Sequence, residues 1–412
     1  MRLQLLKMAA MNLIATLFLT LVTTAQTFHV IHSFTGVEGG LPQAGLTIDR
    51  RGNLYGTTSQ GGTGGFGTVF KLTPEKSGWK LSLLHTFNGG NNGGEDGGDP
   101  NARVIFGSDG SLYGTTTGGG SSGCSYCGTV FKLTPAPIAC ITCPWTETVL
   151  YRFQSGIDGR LPYSEVVFDQ DGNIYGTTQS GGSNCQYGCG TVYELTPHDG
   201  TWAERVLYNF TGGADGGGPT AGLIFDNASK LYGTAPYSDQ GLGGGTVFQL
   251  ARSGSHWTEN VLYAFQNGSD GSQPYAGLIF DGSGHLYGVT GAGGAGNGGT
   301  AFELTHSKGG WNYSLVYSLK GSGYLGPDGS LLMDSAGSLY GTTVRGGSNN
   351  AGTVFKLTFS NGRWTETVLH DFTGGSDGGN PYGSVVMDSR GNLYGTASIG
   401  GGGYGDIWEI TP

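Results

Sequence analysis

Charge is scarce in this chain, and positive charge most of all. Only 12% of the 412 residues are Asp, Glu, Lys or Arg, and 20 basic against 30 acidic residues leave a formal net charge of −10. A surface of that sign repels phosphate backbones and anionic headgroups, which argues against nucleic acid as a partner. Hydrophobic residues reach only 36%, and beyond the N-terminus no apolar run approaches the roughly 18 residues of a membrane-spanning helix. Cysteine is limited to six residues, all between Cys124 and Cys189. What the chain has instead is glycine, 83 residues of it, without the strict three-residue period of collagen. The accompanying 21 Tyr, 19 Phe and 7 Trp argue for a folded all-β protein with many glycine turns.

The first 25 residues stand apart. Arg2 and Lys7 precede an apolar run from Met8 to Val22, and small residues follow at Thr23 and Ala25. This is the layout of a secretory signal cleaved after Ala25, too short and too polar at Asn12 and the threonines to be an anchor. Residues 26–412 are then exported, to the periplasm or beyond the cell, without membrane insertion. Loss of Arg2 and Lys7 takes the formal charge from −10 to −12.

Repetition decides the architecture. The dipeptide Tyr-Gly recurs at Tyr55, Tyr113, Tyr175, Tyr232, Tyr287, Tyr340 and Tyr394, at spacings of 58, 62, 57, 55, 53 and 54 residues. Each copy holds four β-like runs, in the third copy Pro162 to Asp169, Asn173 to Thr178, Gly190 to Thr196 and Trp202 to Phe210. They are short, rich in β-branched and aromatic residues, and separated by turn formers such as Gln-Asp-Gly-Asn at 170–173. Seven such copies predict a seven-bladed β-propeller of four-stranded blades; β-solenoid repeats are usually much shorter. The run after each proline is the inner strand, so the chain begins with a spare outer strand (Phe28 to Phe34) and ends on a third strand (Gly405 to Ile410). Pairing these two closes the ring and removes an exposed edge. A compact monomer is expected.

The recurring phrase Asn-Leu-Tyr-Gly-Thr-Thr, followed by Gly-Thr-Val-Phe-Lys-Leu-Thr-Pro and a Trp-containing outer strand, resembles the Gloeobacter/Verrucomicrobium-type (GloVer) tandem repeat. That repeat is found in exported bacterial proteins described as choice-of-anchor GloVer-containing proteins. The resemblance covers all seven copies and loosens in the fourth (Leu231 to Ser238), the fifth (Leu286 to Gly293) and the last third strand (Asp406 to Thr411). It implies an extracellular or surface location and brings no activity, cofactor or catalytic residue. Relatives often end in a sorting anchor, whereas this chain stops at Pro412 directly after its last repeat, so free secretion is expected.

The cysteines form three close pairs, Cys124 with Cys127, Cys140 with Cys143, and Cys185 with Cys189. Two CxxC pairs twelve residues apart would suit a zinc ribbon. The propeller puts them on opposite faces, separated by the strand Gly128 to Thr134, roughly 20 Å at 3.3 Å per residue, so four ligands cannot meet. Export favours disulfides instead, with the three local pairs as the first reading and a link between same-face loops as the second. Neither CxxC opens a helix that would stabilise a redox thiolate.

No catalytic constellation stands out. The G-x-S-x-G matches at Gly119 to Gly123 and Gly374 to Gly378 lack a strand-to-helix elbow. His32, His85 and His370 fall at an outer-strand position that is Tyr151, Tyr208, Tyr263 or Tyr317 elsewhere, where an aromatic ring is what the repeat requires. One polar pattern remains, an acidic residue in the loop before each inner strand: Glu38, Asp96, Asp158, Asp215, Asp270 and Asp377, missing from the sixth copy. Asp-Gly caps turns, and the same carboxylates could ring one mouth of the central channel and hold calcium or sugar hydroxyls. Tyr126, Tyr187, Tyr237 and Tyr404 sit on the same face between second and third strands, as stacking platforms. Two function classes fit: a non-catalytic extracellular module that binds glycan, peptide or a surface partner, and a propeller enzyme (lyase, lactonase or glycoside hydrolase). An enzyme should break the repeat symmetry at its site, and the channel-facing sequence reads as monotonous.

Overall fold

The structure, a computed structural model, describes residues 26–89, 96–121, 124, 126–137, 145–185, 188–238, 243–321 and 326–412. They form seven four-stranded antiparallel sheets, each with its strands in sequence order except the last. That last sheet takes the N-terminal strand Thr27–Ser33 as its outer strand, paired against Asp406–Thr411 from Thr27 opposite Thr411 to Ser33 opposite Asp406. The protein is an all-β, seven-bladed propeller whose ring is closed by its own first strand.

Every outer strand carries a one-residue bulge at the same place, skipping Leu207 between Val206 and Tyr208 in the third blade. The closing strand has it too, at Ile31. A bulge turns an extra side chain inward, and Leu84 and Leu207 are accordingly buried in the seams between blades.

The inner strands are shorter than the sequence suggests. The run Pro162 to Asp169 pairs with its own sheet only over Val167–Phe168, and the other six inner strands are equally short. The reason lies in the preceding blade. The hydroxyl of Thr115 donates to Ser164 O (2.9 Å), that of Thr177 to Ala221 O (3.2 Å) and that of Thr396 to Ala44 O (3.0 Å), so at every seam but the one after the fifth blade, where Val289 replaces the threonine, a carbonyl upstream of the inner strand is taken by a neighbour. Blades converge there until side chains no longer fit between them: a Cβ on Gly383 would lie 2.6 Å from Ala44 O.

Apolar burial is distributed over seven seams. At each of six, a phenylalanine ending one outer strand meets the third-strand ring of the next blade edge-on, as Phe34 does Phe70 (5.3 Å), Phe87 does Phe131 (5.2 Å) and Phe210 does Phe248 (5.1 Å). The motif glycines serve the same packing. A Cβ on Gly56 would come within 2.6 Å of the Phe70 ring, and Gly128, at φ +87°, would put one 2.3 Å from Thr116 O and 2.4 Å from Pro162. That proline opens the following inner strand, so the glycine before each third strand lets the next blade dock.

Candidate functional site

Because a proline opens each inner segment, the residue after it is delivered to the axis. Those residues are Gln43, Asn101, Tyr163, Thr220, Tyr275, Asp328 and Tyr382, and together with the two that follow most of them they line an axial funnel of about 280 Å³. All precede the inner strands, which places the funnel at the face where the loops into the inner strands and the loops between second and third strands emerge.

The funnel wall is asymmetric. Arg103 Nη2 reaches Glu165 Oε1 across the seam between the second and third blades at 3.2 Å. Half a turn away Asp328 stands near Tyr275 and Tyr382, whose hydroxyl pKa values it raises after burial has done so. Loss of water around the Asp328 carboxyl pushes it up to about 6. Tyr163 is half-buried, and Ser384 Oγ accepts from Ser330 N at 3.0 Å. Three tyrosine rings, one ion pair and one carboxyl in a pocket of this size can grip a small polyhydroxylated group by stacking and hydrogen bonding. The wall is therefore not monotonous. The repeat keeps its packing residues, whereas the residue after each proline differs among the blades.

The six loop acids lie outside this funnel lining, tied to the outer strands. Asp158 accepts from Gln154 N (2.8 Å), Gly156 N (3.2 Å) and the Tyr151 hydroxyl (3.1 Å). Asp215 and Asp270 repeat this with Tyr208 (2.9 Å) and Tyr263 (3.0 Å), and Asp377 with His370 Nε2 (3.1 Å). Asp96 accepts from Asn88 N and lies 3.4 Å from His85, while Glu38 accepts from Thr35 and lies 3.6 Å from His32. Burial opposes ionisation of Glu38 and Asp377, but hydrogen bonds led by Thr35 and Thr373 outweigh it and hold both carboxyls below their ordinary range. The outer-strand position thus supplies more than a ring: Tyr151, Tyr208, Tyr263 and His370 each set a polar tip against the loop acid.

Of the loop tyrosines, Tyr237 lies outside the funnel lining but touches it, its hydroxyl 3.1 Å from that of Tyr275. Tyr126 is 58% exposed, and Tyr404 packs over Gly36, where a Cβ would sit 2.6 Å from its ring, with 47% of its surface still exposed. Tyr187, Cys140, Cys143 and the segment 1–25 lie outside the described residues. Disulfides join Cys124 to Cys127 and Cys185 to Cys189, which fits an oxidising compartment. Among the described residues no three His, Cys, Asp or Glu side chains converge as metal ligands, and no helix is long and apolar enough to cross a membrane.

Similarity to known structures extends over the whole ring. The chain resembles PorZ, a bacterial surface component of the type-IX secretion system of Porphyromonas gingivalis, at 15% identity and a TM-score of 0.54, over 93% of this chain and 48% of that one. It therefore spans about half the length of PorZ, and the likeness is one of fold. Weaker likenesses are to a Thermus thermophilus protein described as a glucose dehydrogenase-type oxidoreductase (15% identity, 93% and 99% coverage, TM-score 0.45) and to a Bacteroides uniformis protein described as a 6-phosphogluconolactonase (16%, 78% and 83%, 0.48). No curated protein matches the sequence. Residues 14–186, 140–325 and 308–412 each match the Gloeobacter/Verrucomicrobia repeat, so the matches overlap and run to the last residue. The chain belongs to the Gloeobacter/Verrucomicrobia repeat family.

Proposed function

We propose that this protein is an exported, non-catalytic binding module that takes a carbohydrate end group in its axial funnel. The observation that carries the reading is that the residue after each proline, which lines the funnel, changes from blade to blade. Seven copies of one blade deliver Gln, Asn, Tyr, Thr, Tyr, Asp and Tyr to a single pocket of about 280 Å³. Tyrosine faces suit the apolar faces of a sugar ring, and the Arg103–Glu165 pair, Asp328 and Ser330 suit its hydroxyls. Export is supported by the layout of residues 1–25 and by the two disulfides.

A second reading, an enzyme acting on carbohydrate or lactone, is favoured by one feature, the Asp328 carboxyl raised to about 6 and thereby suited to proton transfer. A glycan array of the exported chain, followed by titration of any hit against Tyr275→Ala, Tyr382→Ala and Asp328→Asn, tests both. The binding reading expects each tyrosine variant to weaken affinity at least tenfold with no product formed by the parent. Turnover by the parent that Asp328→Asn abolishes would replace binding with catalysis, and undiminished binding by all three variants would remove the funnel as the site.

A further inference from the structure

The seventh blade departs from the others at one buried point. In five blades the last threonine of the second strand pairs with the first threonine of the third, as Thr58 does with Thr68 (2.9 Å) and Thr178 with Thr191 (2.8 Å). The same hydroxyls, and that of Thr246 in the fourth blade, also have loop carbonyls within reach, each hydroxyl giving its single proton to one acceptor at a time. Thr58 reaches Gln60 O (3.0 Å) and Thr290 reaches Ala292 O (3.0 Å), while Thr68 reaches Glu38 O (3.1 Å) and Thr246 reaches Asp215 O (3.1 Å). The seventh blade pairs Ala397 with Asp406 instead. By the same register, Ile399 O and Asp377 O are the carbonyls that lose their hydroxyl donors, and a carboxyl group stands in front of them.

Asp406 is wholly buried, and neither carboxyl oxygen has a hydrogen-bond partner among the described residues. Burial is the largest influence on its pKa and, with the charge of Asp377, raises it above the ordinary range against the Ser33 hydroxyl and the Gly401 amide, which favour the charged form without making a hydrogen bond of ordinary geometry. Three glycines make room for it. A Cβ on Gly400 would lie 1.9 Å from Oδ2. One on Gly378 would lie 3.1 Å from both Oδ2 and Ile399 O, and one on Gly401 2.7 Å from Oδ1 and 2.9 Å from Gly405 O. Acceptor thus faces acceptor in a dry pocket beside a second carboxylate, which is unfavourable without positive charge between them.

We propose that Asp406 binds a calcium ion, completed by the main-chain carbonyls of Ile399, Gly405 and Asp377 and by the Ser33 hydroxyl. Hard oxygen donors with one or two carboxylates are the ligand type calcium takes, and a site built mostly of carbonyls leaves no cluster of acidic side chains to give it away. The site ties the closing strand, through Ser33, to the loop between the second and third strands and to the loop that enters the blade. An ion there would fasten the junction on which ring closure depends.

The experiment uses the exported chain freed of metal with EDTA, titrated with calcium chloride by calorimetry and melted with and without calcium. The parent is expected to bind one ion per chain and to melt several degrees higher in saturating calcium, by mass action on the folded state. Asp406→Asn, whose amide supplies donors to the same carbonyls, and Asp406→Thr, the residue six blades carry, are expected to fold and to melt alike with and without calcium. Absence of calcium binding in the parent, or equal binding by both variants, overturns the proposal. So does a parent melting temperature that ignores calcium and rises on acidification, because a proton then stands where the ion should.

Discussion

Replacing Phe34 by alanine tests whether the N-terminal strand closes the ring as firmly as any internal seam. Phe34 is fully buried, follows the closing strand directly, and packs edge-on to Phe70 at 5.3 Å and beside His32 at 4.8 Å. Phe210 has the same surroundings between the third and fourth blades, fully buried with Phe248 at 5.1 Å. Truncating a buried phenylalanine costs about 3–5 kcal/mol, of which loss of the ring pair contributes about 0.5–1.5 kcal/mol. Phe34→Ala and Phe210→Ala should therefore lower the urea midpoint by the same amount at unchanged slope, equivalent to about 3–5 kcal/mol each. Removing Thr27 to Thr35 altogether should go further and destabilise the whole ring, since it also strips the pairing to Asp406–Thr411. A Phe34→Ala loss below about 1 kcal/mol beside a full loss for Phe210→Ala, or an unchanged melting temperature for the deletion, would refute closure through the first strand.

Three further expectations concern charge and turns. Burial, and then the charge of Asp158 or Asp215, pushes Glu204 and Glu259 up to about 7, and burial does the same for Glu147 at the preceding seam. A folded pKa near 7 against about 4.5 unfolded means that the folded state takes up protons in between, so these groups make stability rise as pH falls from 8 toward 5 and level off below; Glu204→Gln should flatten that rise in thermal melts, and an unchanged profile would contradict it. Replacing Asp158, Asp215 and Asp270 together by Asn should lower the melting temperature, because each amide loses an acceptor for the turn donors, while leaving ligand affinity in the funnel intact; loss of affinity with the fold preserved would restore the loop acids as the binding site. Gly128→Ala should destabilise by about 2 kcal/mol or more in denaturant titrations, since φ +87° and Thr116 O at 2.3 Å both oppose a Cβ, and a neutral result would contradict the docking role of that glycine.

The sequence by itself determined blade number, strand content and closure, because those follow from a period near 55 residues, from local β-propensity and turn chemistry, and from counting which strand is missing at each end. It also showed which residues repeat, though not why they do. Tyr151 and His370 look like interchangeable rings until the loop acids Asp158 and Asp377 come within 3.1 Å of them. Only the tertiary structure decided the site, since convergence at the axis joins residues about 55 positions apart that have no local relation. Arg103 and Glu165, and Asp328 with its two tyrosines, meet because seven inner segments point at one line. The signal was present as the variable residue after each repeat proline, but its meaning depends on where that proline lies in the ring. Asp406 shows the same limit: in the chain it is one more third-strand residue, and only its burial without a hydrogen-bond partner, where six blades place a threonine hydroxyl, makes it exceptional.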